Sequence, residues 1–302
     1  QSTISGNAAA SLGGGIFASD GMTATVIDSS ISDNSTVMGY GGGIFGGKVT
    51  LTNSSVSGNT GGGVFAISSV SVTDSTVSGN NGFGVYARPY LDLGHSPPVV
   101  TITHSAVSGN SEPGIAINPA GLEYSTLTAA LVNNSVVNNN GGSGIFFSWG
   151  KLVATDSTVS DNHGTGIDSS SGEVTLNSST VSGNDGDGIA IGHNSMGVTL
   201  NSSTVTGNGG SGIYSHSSPA LSGGAVTLTD STVSDNRGRG ITAYASGVTL
   251  NSSTVSGNTS MGNGGGIWSY GDVTLNSSTV SGNRALDGGH PLLLGDGGGI
   301  FI

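Results

Sequence analysis

The chain has 302 residues, with 18 acidic and 6 basic side chains, no cysteine and a formal net charge of −12. The lack of cysteine excludes disulfides and thiol chemistry, and the scarcity of Lys and Arg argues against a partner made of nucleic acid. No apolar run of about 18 residues occurs, so no transmembrane segment is predicted.

One phrase recurs along the whole chain, and one copy, V-T-L-N-S-S-T-V-S-G-N-D-G-D-G-I, runs from Val174 to Ile189. Each copy has Ser five positions before a closing Asn, Val or Ile three positions before it, and Gly followed by Ile or Val after it. A fixed period of about 20–50 residues indicates a solenoid, a propeller or an array. The closing asparagines are Asn7, Asn34, Asn59, Asn80, Asn110, Asn140, Asn162, Asn184, Asn208, Asn236, Asn258 and Asn283.

Each copy predicts three short strands, in the order V-T-L, then S-T-V-S, then the G-I pair with its neighbours. Period-two alternation points the Val and Leu of V-T-L inward, together with the first Ser and the Val of S-T-V-S. Three strands per turn of about 22 residues predict an all-β fold, a right-handed parallel β-helix (solenoid) of about twelve coils. We expect a single domain over residues 1–302 that starts and ends within a coil.

The invariant polar positions predict hydrogen-bonded columns. An Asn at one bend of every coil can bond the Asn above and below, and it tolerates the left-handed backbone of a tight bend. The inward Ser column is expected to bond within itself or to strand ends, because an unpaired buried hydroxyl costs about 1 kcal/mol or more. Asp74, Asp156 and Asp230 share a turn position with Asn53 and Ser178, so they are interpreted as turn formers.

With these motifs the chain resembles right-handed parallel β-helix proteins of the pectate-lyase-like superfamily, in particular the passenger repeats of polymorphic outer-membrane proteins. Those repeats pair F-x-x-N with G-G-A-I. Here Ile4-Ser5-Gly6-Asn7 and Gly13-Gly14-Gly15-Ile16 occupy the same places, with Val or Ile for the Phe and Gly for the Ala. The resemblance implies a bacterial protein that is extracellular or on the cell surface, and it specifies no single activity.

Longer loops follow the closing Asn in the first two and last two copies, and solenoid loops often carry binding sites. The last insert, residues 284–298, is interpreted either as an end cap or as a contact between subunits. Because no capping helix is present, either the chain continues or rods stack head to tail into a homopolymer. The candidate subunit-contact residues are Leu12, Met38, Tyr40, Leu286, Leu292, Leu293, Leu294 and Phe301.

Loops after the third strand of adjacent coils combine aromatic and polar residues. Aromatic rings offer an apolar face with a polar handle, which suits a sugar-binding shelf, whereas the competing interpretation is loop packing over the flank of the rod. The candidate residues for contact with a glycan or another partner are Arg88, Tyr90, Asp92, His95, Glu123, Tyr124 and Trp149.

Half of the aromatic residues occupy one repeat position, directly after the G-I or G-V pair. Because Asp168 and Thr242 share this column, we expect it to face outward or to lie at a bend. It is either a stack shielded by loops or an exposed stripe for glycans or lateral association. The aromatic members are Phe17, Phe45, Phe65, Tyr86, Phe146, Tyr214, Trp268 and Phe301.

Catalysis has one candidate pair. Asp185 and Asp187 in extended backbone would share a face about 7 Å apart, which suits an inverting glycosidase. Stacking would place His163 one coil before Asp185, and Arg237 and Arg239 two coils after the pair. The competing interpretation is a variable bend that tolerates any polar residue, and an enzyme is not expected. With no calcium repeat, P-loop or Ser-His-Asp arrangement, no metal or cofactor is expected either.

Three classes of function remain. The first is an extracellular structural protein, the subunit of a filament whose partner is a further copy of itself. The second is a surface adhesin or glycan-binding passenger domain. The third is a polysaccharide lyase or glycoside hydrolase.

Overall fold

A computed structural model describes residues 1–37, 39–88, 98–118, 129–192, 195–216, 224–244, 247–286 and 296–302. All regular structure in these ranges is β-strand, and they contain no helix long and apolar enough to cross a membrane. Parallel strands wind as a right-handed β-solenoid, which confirms the predicted fold. The two units described below contain about ten turns together, slightly fewer than the predicted twelve.

The chain forms two compact units, Gln1–Lys151 and Leu152–Ile302. In each unit the S-T-V-S segments form one parallel sheet with consecutive coils adjacent. In the first unit its strands are β1 (Ser2–Ser5), β5 (Ser29–Ser32), β8 (Ser55–Ser57), β10 (Thr76–Ser78), β13 (Ala106–Ser108) and β16 (Val136–Asn138). In the second unit they are β18 (Thr158–Ser160), β20 (Thr180–Ser182), β23 (Thr204–Thr206), β26 (Thr232–Ser234), β29 (Thr254–Ser256) and β33 (Thr279–Ser281).

The G-I and V-T-L segments form the other two faces. The strands that follow G-I are β3 (Ile16–Phe17), β11 (Val85–Ala87), β14 (Ile115–Ile117), β21 (Ile189–Ile191), β24 (Ile213–Ser215), β27 (Ile241–Ala243), β31 (Ile267–Ser269) and β35 (Ile300–Phe301). The V-T-L strands are β4 (Thr23–Ile27), β12 (Val99–Thr103), β15 (Ala129–Asn133), β22 (Gly197–Asn201), β25 (Val226–Thr229), β28 (Val248–Asn251) and β32 (Val273–Asn276).

Four coils depart from the predicted three strands, because a short connection lets the G-I and V-T-L segments join into one long strand. These strands are β7 (Ile44–Thr52), β9 (Val64–Thr73), β17 (Ile145–Thr155) and β19 (Ile167–Asn177). Two small pairs lie on bends where the repeat carries longer loops. They are β2 (Ala8–Ala9) with β6 (Ser35–Thr36), and β30 (Thr259–Met261) with β34 (Arg284–Leu286).

The core consists of stacked columns of like residues. Val248 and Leu250 are fully buried, as predicted, and so is Val255 on the next strand. Neighbouring coils pair in register, so that Leu250 stacks on Leu228 of the preceding coil. Burying each such side chain contributes about 1.5–3 kcal/mol, and the regular repetition of this gain holds the coils together.

The predicted asparagine ladder is present. The Asn184 Nδ2 donates to Oδ1 of Asn208 at 2.9 Å and to the carbonyl of Val159 at 3.3 Å. The ladder asparagines do not adopt the left-handed backbone, contrary to the prediction. The preceding residue does, with φ of 65° at Gly183 and 54° at Asp161. The residue before each ladder asparagine makes the bend in the backbone, and the Asn side chain is therefore directed into the coil.

The serine column bonds within itself and to strand ends, as predicted. The backbone N of Ser179 donates to Oγ of Ser203 at 3.1 Å, and the Ser179 Oγ donates to the carbonyl of Asn177 at 2.8 Å. The residue before each column serine makes the turn with positive φ, which is 48° at Asp74 and 47° at Ser178. These positions are therefore turn formers, as the sequence indicates.

Candidate functional site

The column after G-I points outward in both units, but its composition differs between them. In the first unit it is apolar: Phe17 stacks on Phe45 with ring centroids 5.5 Å apart, and Phe45 stacks on Phe65 at 5.1 Å. Phe45 and Phe65 are each only 3% exposed, with Leu12 and Phe83 packed against their cluster. In this unit the column is a hydrophobic stack that is shielded at Phe45 and Phe65 and open at Phe17, which is 57% exposed.

In the second unit the same face is polar and charged. In-register pairing places a first outward column along successive coils. A second outward column lies two residues further along each strand, because alternate residues share a face. The first column is Asp168, Ala190, Tyr214, Thr242 and Trp268, and the second includes Gly192, His216, Tyr244 and Tyr270.

We call the functional groups of this face the acidic–aromatic patch. Asp187 and Arg239 join it from the bend that precedes the G-I pair of their coils, where they occupy equivalent positions two coils apart. The patch comprises Asp168, Asp187, Tyr214, His216, Arg239, Tyr244, Trp268 and Tyr270.

The rings of the patch are in continuous contact. Tyr244 is central, with ring centroids 4.5 Å from Trp268, 5.0 Å from His216 and 5.9 Å from Tyr214. Trp268 also contacts Tyr270 at 4.5 Å. Tyr270 is 64% exposed, whereas Trp268 is largely buried beneath its neighbours. The cluster therefore presents tyrosine rings and hydroxyls to solvent over a buried tryptophan.

Arg239 is fixed at one side of the rings. Its Nε donates to the carbonyl of Asn263 at 2.7 Å, and its guanidinium carbon lies 5.3 Å from the centroid of the Trp268 ring. Burial lowers the pKa of Arg239, and the nearby Tyr244 and Tyr214 hydroxyls act in the opposite direction. The guanidinium thus supplies a positioned positive charge in a cation–π contact.

The two carboxyls lie at the other side of the patch. Burial raises the pKa of Asp187, and the amide of Ser211, which donates to its Oδ1, partly offsets this effect. Burial also raises the pKa of Asp168, and the negative charge of Asp187 raises it further. Burial first, then Tyr244 and Asp187, raise the pKa of Tyr214. The acidic groups of the patch therefore form one electrostatically coupled cluster.

The predicted catalytic residues fall into different environments. Asp185 is exposed and its Oδ2 lies 3.0 Å from Nδ1 of His163, the neighbour that stacking predicts. Asp187 is half-buried within the patch with Arg239, whereas Arg237 is exposed. The assumption of extended backbone over residues 185–187 is wrong, because the segment bends there and gives its two carboxyls different partners.

Of the predicted glycan-contact residues, the described part of the chain includes Arg88 and Trp149, both half-buried. Burial raises the pKa of Tyr86 in β11, and the positive charge of Arg88, which follows this strand, partly offsets the effect. Trp149 lies in β17. Tyr90, Asp92, His95, Glu123 and Tyr124 lie outside the described residues.

The predicted subunit-contact residues are dispersed. Leu12 forms an isolated parallel bridge with Tyr40, whose ring contacts Phe65 edge-on at 5.3 Å. Leu286 is half-buried opposite Met261, and Phe301 is half-buried opposite Trp268. Met38, Leu292, Leu293 and Leu294 lie outside the described residues.

Sequence reasoning found Tyr214 and Trp268, and it noted Asp168 only as an exception in their column. It missed His216, Tyr244 and Tyr270, although aligning the second outward position of each copy would have grouped them. Within the described ranges, no cluster of three or more His, Asp or Glu side chains is arranged to hold a metal ion.

Comparison with known proteins identifies the scaffold. A family model described as a right handed beta helix region matches residues 1–119, 64–222 and 121–285. No curated protein and no solved structure gives a significant match.

Proposed function

The chain belongs to the right handed beta helix family, and we propose that it uses this scaffold to bind glycans outside the cell through the acidic–aromatic patch. One observation carries the proposal. The outward face holds a stack of phenylalanines in the first unit, whereas in the second unit it carries Tyr214, Tyr244 and Tyr270, all partly exposed, beside charged groups. Packing alone would favour apolar residues on this face. Tyrosines beside charged groups therefore indicate that the face of the second unit binds a ligand.

The geometry suits a sugar. Pyranose rings present an apolar face of C–H groups and an equator of hydroxyls, and aromatic rings with adjacent hydrogen-bonding groups complement both. Tyr244 and Tyr270 supply the rings, while Asp187 and Arg239 supply charged hydrogen-bonding groups. We expect binding without turnover, and release of reducing ends from a bound polysaccharide would contradict that expectation.

Glycan binding is tested by screening oligosaccharides and measuring affinity by calorimetry for Tyr270→Ala. Loss of one ring face is expected to weaken binding about tenfold. Phe17→Ala is the control, since Phe17 is an aromatic residue of comparable exposure, 57%, on the outward face of the first unit and lies outside the acidic–aromatic patch. Equal weakening by both substitutions, or no binding by any oligosaccharide, would contradict the proposal.

A second candidate function is structural. The asparagine and serine ladders run through successive coils of each unit, and such a scaffold suits a filament subunit that stacks on further copies of itself. Electron microscopy and sedimentation at rising protein concentration test this proposal. Rods of increasing length would support it, and Leu286→Glu should shorten them if that half-buried residue contributes to the contact. A single sedimenting species at every concentration would exclude it.

A further inference from the structure

The S-T-V-S sheet of the second unit presents two outward rows of hydroxyl groups, which we call the hydroxyl lattice. Its strands pair in register, so that Thr204 lies between Thr180 and Thr232 of the neighbouring coils. The Val between the two row positions is buried, with Val205 at 0% exposure, and alternation turns the rows outward. All members except Ser160 are partly or fully exposed. The first row is Thr158, Thr180, Thr204, Thr232, Thr254 and Thr279, and the second is Ser160, Ser182, Thr206, Ser234, Ser256 and Ser281.

The fold itself does not require threonine in the first row. In the first unit the same position stacks in the same register but has a mixed composition. Its members are Thr3, Ser30, Ser55, Thr76, Ala106 and Val136. Stacking therefore accepts Ser, Ala and Val at this position, and the uniform threonine row of the second unit needs a reason other than packing.

The hydroxyl lattice also lacks charge. Neither row contains an acidic or basic residue, although the chain as a whole has a formal net charge of −12. Roughly a quarter to a third of the surface residues of a soluble domain are normally charged. Because short side chains at constant register form the lattice, a ligand that matches it is itself flat, uncharged and periodic in two directions.

The two spacings of the lattice are close to those of ice. Neighbouring strands lie about 4.8 Å apart, and residues two apart in a parallel strand are separated by about 6.6 Å. In ice, tetrahedral O–H···O bonds of about 2.75 Å place second-neighbour oxygens about 4.5 Å apart, with a perpendicular repeat of about 7.4 Å. Each pair of spacings therefore agrees to within about a tenth. A threonine hydroxyl donates one hydrogen bond and accepts two, and its β-branched side chain holds it in few positions.

We propose that the hydroxyl lattice of the second unit binds the surface of ice and slows its growth. Waters held by the two rows take up positions that continue into the ice crystal, and the bound protein then blocks the addition of further water there. Each hydroxyl also bonds liquid water, so the net gain per contact is small and binding needs many coils in one register. This activity lies on a different sheet from the acidic–aromatic patch and does not depend on the proposed binding of glycans.

The test measures the gap between the melting and freezing temperatures of a single ice crystal in a solution of the full chain. The parent protein is expected to open such a gap, and Thr232→Tyr is expected to abolish it, because the added ring holds ice away from both rows. Thr227→Tyr is the matched control. Thr227 is partly exposed on the V-T-L strand of the same coil and also lies between two threonines, Thr199 and Thr249. This variant is expected to keep the gap.

Tyrosine suits a strand, so both variants are expected to fold, and circular dichroism with thermal melting verifies this. If Thr232→Tyr melts below the parent, Thr204→Tyr with Thr199→Tyr as its control repeats the comparison one coil earlier. Absence of the gap in the parent protein would overturn the inference, and so would equal loss in the two variants of a pair. If Thr232→Tyr changes the sedimentation of the protein but not the gap, the lattice contacts a further copy of the chain and the inference is wrong.

Discussion

At the scale of single residues, stability depends on buried amides that are fully hydrogen-bonded. Asn184 donates from its side chain to Asn208 and to the Val159 carbonyl, and its Oδ1 accepts from the backbone N and the Nδ2 of Asn162. Each ladder asparagine therefore satisfies groups on both neighbouring coils as well as its own. Satisfied buried networks of this kind are costly to interrupt.

Asn184→Ala is expected to lower the free energy of unfolding by about 3 kcal/mol, because several buried polar groups lose their partners together. Asn201→Ala is the control, since Asn201 is only half-buried and its side chain donates one hydrogen bond, to Asn177, so its loss is expected to cost about 1 kcal/mol. Denaturant unfolding followed by circular dichroism measures both. Similar losses in the two variants would show that the buried ladder has no special contribution.

The turn before each column serine holds a residue with positive φ, which is a strained conformation for most side chains. Ser252 has φ of 48°, and Asn53 occupies the same turn position with φ of 46°. Ser252→Asn is expected to stabilise the protein by about 0.5 kcal/mol, because Asn tolerates the left-handed region better. Thermal melting checks this, with Ser252→Ala as the comparison that should show no gain.

At the scale of the strand and its bend, a glycine packs directly against the ladder. A Cβ on Gly188 would lie 2.6 Å from Val205 Cγ1 and 2.8 Å from Asn208 Nδ2. These are fixed core groups, so a methyl group at this position requires the coils to separate. The G-I pair is therefore a packing requirement that follows from the asparagine and valine columns.

Gly188→Ala is expected to destabilise the protein by about 2 kcal/mol or more through this overpacking. Gly207→Ala is the matched control. Gly207 has φ of 65°, and the position of its missing Cβ is surrounded by open space. That variant is therefore expected to lose only about 1 kcal/mol, from backbone strain. Melting temperatures of the two variants show which substitution destabilises the protein more. A larger loss at Gly207 would mean that backbone conformation, and not packing, constrains these glycines.

At the scale of the whole molecule, the net charge is strongly negative. The chain has 18 acidic and 6 basic residues. The ion pairs between described residues join a histidine to an aspartate, and all of these side chains are exposed. Because self-repulsion within the chain is screened by salt, the melting temperature is expected to rise between low ionic strength and about 0.1 M salt. A neutral osmolyte at the same osmolality is the control, and a fall in melting temperature with salt would contradict the expectation.

The sequence by itself determined the repeating architecture of this protein. Every copy carries the same Ser, Val or Ile, and Asn columns, and parallel stacking in register brings like residues together. Periodicity was therefore sufficient to predict the all-β parallel fold, the inward residues and both ladders. It did not reveal where the left-handed residue lies, because Asn and the preceding Gly or Asp each suit a tight bend.

Only the tertiary structure decided the candidate site. Asp168, Asp187 and Tyr214 come from three successive coils, and their coupling depends on a bend that the pattern of the repeat does not specify. The sequence did not determine exposure either, since members of one outward column range from Phe17, which is 57% exposed, to Phe45 at 3% and Thr242 at 0%. A repeat fixes which residues stack, whereas side-chain size and the covering loops fix which of them meet solvent.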